Sequence, residues 1–429
     1  MGGQDSLLKP PPLRLAWGVW SLGALFYLFA FFQRVAPAVM TDRLMAEFVI
    51  GGAALGNLSA LYFQAYVVMQ IPTGLMADRW GPRRVLTAGA AVAAIGSLIF
   101  AMAPSYFWAG GGRLLIGAAV AVGFVSTLKL AAHWLPPQRY ALASGMTLFF
   151  GVSGGMIAGA PLRLLVEAWG WREMMAVAGV FSLLLAAAVW RLLRDDPQQL
   201  GYASYHPHED KAAAPVGVWS SLAAVLSQRN VWLLMLAPVG FSGAALTFAG
   251  LWGVPWLQQI HGLDAASAAA VASTLLAAWA LGGPLLGAWS QRLGRRKPLY
   301  LISGALAAVG WAAVIFLPLP LWLTIILLVA IGFASGNIII GFAWARESLP
   351  AHLMGAASGV VNMGPLLGGV LLQPGVGWLL DRGWDGVSIA GARVYDAAAW
   401  RDGFSLMFAV VVLALMLIPF ARESYCRQA

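Results

Sequence analysis

Three cationic side chains, Arg34, Arg113 and Lys129, stand inside long apolar runs of this sequence, and no Asp or Glu stands in the middle of any such run. A guanidinium in hydrocarbon costs about 2.5 kcal/mol or more unless it meets water or an anion. Its planar fork of donors suits two-pronged contact with a carboxylate or a phosphate. Arg34, in FFQRVAPAVM (residues 31–40), is therefore the leading candidate for an anion site; the competing reading has it reach the membrane interface or pair with Asp42 or Glu47. Arg113 and Lys129 are 16 residues apart, roughly 24 Å along a helix, so they cannot serve one small ligand together. For Arg113 a ligand role competes with structural pairing, and Lys129 reads as a helix-end residue stretching toward water.

Neutral groups would complete such a site. Tyr62, Tyr66 and Gln70 recur every fourth residue and share one helix face. Asn337 and Asn362 are rare carboxamides in apolar surroundings, where each could bind a ligand or bond between helices. Trp252, one turn before Trp256, could stack on a ligand or anchor at the membrane interface.

The elements that must position these residues are membrane helices. With 60% hydrophobic and 10% charged residues, the 429-residue chain has too little polar side chain to cover a water-facing surface. Its 50 glycines permit close helix packing, its 20 tryptophans favour the headgroup region, and the single Cys426 excludes an internal disulfide framework. Twelve apolar runs, from 17–38 to 404–420, are long enough to cross a hydrocarbon core of about 30 Å. They lack the alternation of barrel strands, and the first is too long for a removable signal peptide. Lys and Arg concentrate in alternate loops, which predicts both termini on the cytoplasmic side of the inner membrane. That bias accounts for the net charge of +9 without a nucleic-acid partner.

Three units follow: a first bundle over 1–190, a cytoplasmic linker over 191–229, the longest polar stretch, and a second bundle over 230–429. The linker reads as a flexible connector. A second polar stretch, 381–402, reads as a surface loop on the opposite side.

The chain is also a duplication. GLMADRWGPRR (residues 74–84) recurs 213 residues on as GAWSQRLGRRK (residues 287–297). Gly74, Arg79, Gly81 and Arg84 pair with Gly287, Arg292, Gly294 and Lys297, while Asp78 is replaced by Gln291. Likewise WLPPQRYALASG (residues 134–145) shares Leu, Pro and the Ala-Ser-Gly ending with residues 349–359. Paired basic turns, twelve spans and a central linker resemble the major facilitator superfamily of secondary transporters, over essentially the whole chain. The first turn matches that family's usual G-x-x-x-D-R-x-G-R-R except where Pro82 precedes Arg83. Arg113 followed by Gly117 is a further match. The stretches 62–81 and 127–139 look similar to the branch that carries phosphorylated sugars and organic acids, in which a first-helix Arg commonly binds substrate.

The resemblance implies an all-α membrane protein of two pseudo-symmetric six-helix bundles, rocking about a midplane cavity to expose it to each side in turn. It implies a monomer, a small anionic substrate, an optional coupling ion, and no cofactor. Arg79, Arg84, Arg292 and Lys129 would serve the cytoplasmic gate. Asp78 is expected to meet the start of the eleventh helix near Gly355, shut the cytoplasmic side and favour the outward-open state. The carboxylate usual near Gly117 in proton-coupled relatives is missing from AAVAVGF (residues 118–124), leaving His133 as the only substitute. The glycines of 151–161 lack the antiporter order, which leans toward uptake. An enzyme would need a nucleophile, metal cluster or carboxylate pair, and these are missing. A drug exporter, or a receptor with a transporter fold, are the remaining alternatives.

Overall fold

The computed structural model describes residues 9–205, 218–350 and 353–427. Without water in the membrane interior, every backbone N–H and C=O must bond within its own segment, and the apolar runs accordingly fold as helices. The first half holds α1 (Leu13–Val35), α2 (Thr41–Phe48), α3 (Gly52–Ala101), α4 (Tyr106–Val120), α5 (Gly123–Trp134), α6 (Pro137–Ile157), α7 (Ala160–Trp169) and α8 (Trp171–Leu192). The second holds α9 (Val218–Leu226), α10 (Arg229–Thr247), α11 (Gly253–His261), α12 (Ala265–Leu293), α13 (Lys297–Phe316), α14 (Leu321–Ser335), α15 (Ile338–Glu347), α16 (Met354–Arg382) and α17 (Ala397–Leu417). A two-residue hairpin, β1 (Ser388–Ile389) against β2 (Ala392–Arg393), precedes α17.

Among the described residues eleven helical runs are long and apolar enough to cross a membrane, one fewer than the sequence count. The difference lies in the 50-residue α3, whose Gly81 has φ 79° and ψ 155°. That conformation is cheap only for glycine, and it breaks the helix. Tyr62 bonds the Ala30 carbonyl and Gln33 bonds Ser97, so residues 62 and 97 stand at the same level beside α1. The chain has therefore turned back between them, and α3 has two legs.

Glycine sets the closest helix crossings, and does so symmetrically. A Cβ at Gly117 would lie 2.1 Å from the Tyr62 carbonyl oxygen, and one at Gly332 would lie 2.1 Å from that of Leu275. These pairs are related by the internal repeat, so each half crosses its second and fourth spans on a residue without a side chain.

One face carries the first and last described segments and the basic turns: Ala203 N–H bonds the Lys9 carbonyl, and Arg422 N–H bonds Asn230 Oδ1. At the opposite, far face the two halves touch backbone to backbone. A Cβ at Gly56 would lie 2.4 Å from the Gln373 carbonyl oxygen, and one at Gly377 would lie 2.2 Å from that of Gly52. Toward the basic face the same helices part: a Cβ at Gly74 of α3 or Gly359 of α16 would meet open space, as would one at Gly145 of α6. The far side is sealed and the basic side is open.

Candidate functional site

The cavity between the halves takes its charge from one residue of α1. Tyr27, Phe31 and Arg34 fall at i, i+4 and i+7, on one face of that helix, and all three line the cavity. Arg34 is 4% exposed. Its guanidinium carbon lies 4.1 Å from the centre of the Phe31 ring, 5.1 Å from Tyr66 and 5.8 Å from Tyr62. Aromatic faces attract a cation by their quadrupole, which offsets part of the desolvation cost. They leave hydrogen-bonding capacity unused, and Arg34 Nε has no partner. No ion pair involves Arg34 among the described residues. The acids proposed for it are engaged elsewhere: Asp42 receives both arms of Arg163 at 2.8 and 3.1 Å, and Glu47 receives Arg172 at 2.9 Å.

The remaining site candidates divide. Tyr66 and Asn362 line the cavity with Arg34. Gln70 stands beside it and accepts a bond from Asn362 Nδ2 at 3.4 Å, joining the two halves where they begin to part. Tyr62 forms the layer behind, its hydroxyl donated to the Ala30 carbonyl at 2.9 Å. Arg113 is also set back from the wall, with its guanidinium carbon 4.9 Å from the Tyr62 ring. It donates to the Gln33 carbonyl at 2.8 Å, while Nε and Nη2 have no partner. The wall includes neither Arg113, Tyr62 nor Asn337. Asn337 caps α15 inside the second half, fully buried, with both amide atoms unpartnered. Trp252 is also away from the wall. It is buried, donates to the Gln373 carbonyl at 3.0 Å and meets Trp400 edge-on, so it neither faces the cavity nor anchors at an interface.

Trp279 and Phe342 also line the cavity, and sequence reasoning did not single them out. The internal repeat carried the signal: Trp279 is 213 residues after Tyr66, the spacing of the basic turns. Leu148 and Val152 likewise pair with Asn362 and Leu366 at 214 residues, and all four line the cavity. The wall is thus pseudo-symmetric in position and asymmetric in chemistry, with its cation in the first half and its amide in the second.

The gating candidates surround the open basic face. Gly81 and Gly294, with φ of 79° and 66°, make the two turns. In the first, Asp78 pairs with Lys129 at 2.8 Å, and Lys129 also donates to the Ala77 carbonyl. Asp78 thus differs from the expectation: it stays within its own half, and the start of α16 has no side-chain cap. Arg79 and Arg84 are exposed, as is Arg292, and Gly74 faces open space. In the second turn Gln291 accepts from Arg296, which also holds Glu347. Burial works against the Arg296 charge, but Glu347 more than compensates and raises its pKa above the ordinary value.

Two carboxylates not flagged by the sequence complete these turns. Asp195 accepts the Arg83 N–H at 2.6 Å, and Glu423 accepts those of Arg296 and Lys297, each at 2.9 Å. Each follows the last span of its half and caps the helix that starts after the basic turn. The linker's first part is therefore docked, not a loose connector: Asp196 holds His133 at 2.8 Å and accepts from Ser204. Residues 206–217 of the linker lie outside the described residues, and its last part carries α9.

At the far face, Asp381 accepts the N–H groups of Gly52 and Ala53 at 2.8 and 2.9 Å, together with Arg393 and the Tyr395 hydroxyl. The polar stretch 381–402, expected as a surface loop, thus ties the end of α16 to the start of α3.

The Major Facilitator Superfamily model matches residues 20–373 and 241–425, and the chain belongs to that family. It is a multi-pass membrane protein with the transporter fold of that superfamily. It is 26% identical to a probable sulfoacetate transporter, SauU, of Cupriavidus necator, over 83% of this chain and 86% of that one. It is 25% identical to the membrane sensor protein UhpC of Escherichia coli, over 96% and 92%. In fold it matches an inward-facing, unoccupied bacterial homolog of the human lysosomal transporter Spinster, with a TM-score of 0.78, 18% identity and coverage of 96% and 98%.

Proposed function

We propose that this protein is a secondary transporter that moves a small organic or phosphorylated anion across the bacterial inner membrane by alternating access. One observation carries the reading: a buried guanidinium faces the cavity between the two halves, and no carboxylate lines that cavity among the described residues. A cation in low dielectric without a protein counter-ion has the electrostatics of an anion site. The sulfoacetate relative points to the same chemistry. The basic face is the cytoplasmic one, both termini lie there, and the chain crosses twelve times when the two legs of α3 are counted separately. The protein works as a monomer, without cofactor or chemical catalysis, and takes up its substrate. Coupling through a membrane carboxylate lacks support, which leaves exchange, facilitated diffusion or entry of a protonated substrate.

The test is uptake by purified protein in liposomes over a panel of radiolabelled carboxylates, sulfonates and phosphate esters. Arg34→Ala should abolish uptake with expression intact, and Arg34→Lys should impair it, because an ammonium cannot make the two-pronged contact. Wild-type uptake by Arg34→Ala would sink the reading. The UhpC relative favours a second reading, a receptor built on the same fold. Binding of an anion without any counterflow would establish that one.

A further inference from the structure

We propose that the cavity is built for an anion of a narrower class: a monoanion with an apolar, preferably aromatic, body. This rests on the reading of Arg34 as an anion site. The argument comes from what the rest of the wall offers. Arg34 is the only cation in it among the described residues. Arg113 is not part of that wall; it stands against the Tyr62 ring with one arm committed to the Gln33 carbonyl. Across the cavity the second half presents one carboxamide, Asn362, which already bonds Gln70. The surface between is mostly carbon, with Phe31, Trp279, Ile338, Phe342 and Leu366 among its residues, and the phenol groups of Tyr27 and Tyr66 are further polar points on it.

A carboxylate or sulfonate in the cavity would give the Arg34 guanidinium the counter-ion it lacks among the described residues. Its body would then lie against rings and branched aliphatic groups, which stabilise it in proportion to the apolar area covered. A second negative charge would be placed against aromatic faces, whose quadrupole repels it. Hydroxyls beyond the few that Tyr27, Tyr66 and Asn362 could meet would be buried without partners, and each unmatched one should weaken binding roughly tenfold or more. The site therefore selects against sugar phosphates and hydroxylated dicarboxylates by desolvation.

The experiment uses thermal stabilisation of the purified full-length protein by titrated benzoate, benzenesulfonate and isovalerate, against succinate, glucose 6-phosphate and benzyl alcohol. The monoanions should saturate at concentrations at least about tenfold below the dianions and the alcohol. Arg34→Ala should remove that response, and Trp279→Ala should reduce the preference for benzoate over isovalerate. If Trp279→Ala does not fold, the ranking of the six ligands on the wild type still decides. Succinate or glucose 6-phosphate saturating first, in an Arg34-dependent way, would overturn this inference and leave the anion site standing. Equal stabilisation by benzyl alcohol and benzoate, unaffected by Arg34→Ala, would remove both.

Discussion

Asp381 and Asp78 sit at opposite ends of one antiparallel helix pair and are in opposite conditions. Asp381, where α16 ends, bonds the first N–H groups of α3 and is tied down by Arg393 and Tyr395. Asp78, where the first leg of α3 ends, has its side chain 77% exposed and pairs only with Lys129 among the described residues. A carboxylate at a helix start satisfies orphan donors and meets the positive end of the helix dipole, so it makes a strong and breakable joint between two bodies. The far joint is made and the halves touch there; the basic joint is unmade and they part. One pair of helices thus carries a carboxylate at each end, and in this conformation only Asp381 joins the two halves.

The comparison breaks most directly at Asp381. Asp381→Asn loses the charge on up to four hydrogen bonds and should shift the balance toward the far-open state by about 10- to 100-fold. In a Cys426→Ser background, a cysteine replacing Ser273, which packs against Gly159 in the seal, should then react faster with a membrane-impermeant thiol reagent added from the far side. An unchanged rate would show that Asp381 does not hold the seal.

Steric force should act in the same direction. Gly56→Val would drive side-chain carbon into the Gln373 backbone, a misfit of about 1 to 3 kcal/mol felt only when the far face is closed. Reactivity at position 273 should rise, and transport should fall because the closed state is disfavoured.

Asp78→Asn sharpens the comparison from the other end. Its pair with Lys129 is exposed and contributes only about 0.2 to 1 kcal/mol here. If Asp78 latches the basic side in the other state, the variant should favour the basic-open state by up to about tenfold, raising the reactivity of a cysteine replacing Gly359. Gln291→Asp should lower it. Equal rates in both variants would mean that the basic side is closed by other contacts.

The smallest effect is expected from Tyr395→Phe, which removes one hydrogen bond, about 0.5 to 1.5 kcal/mol. Burial, and then the neighbouring Asp381, push the Tyr395 hydroxyl above its ordinary pKa, so it stays a neutral donor at physiological pH. A two- to tenfold rise in reactivity at position 273 should follow, and no rise would assign the latch to the backbone bonds alone.

Much of this molecule is a one-dimensional property of its chain. Apolar runs of membrane length, their repeat at about 213 residues and the sign of the charge within them survive any arrangement of the helices. Arg34 stood out for that reason: a cation in an apolar run is costly whatever its neighbours. Tertiary structure decided what depends on the tilt and rotation of whole helices. It placed Tyr66, Trp279 and Asn362 on one wall and put Arg113 and Tyr62 behind it, although all of them read alike as polar or aromatic groups in apolar helices. It also turned Asp381 from one acid among several in a polar stretch into the joint between two bundles. Which end of that helix pair is joined depends on the relative position of the halves, and the sequence does not contain it.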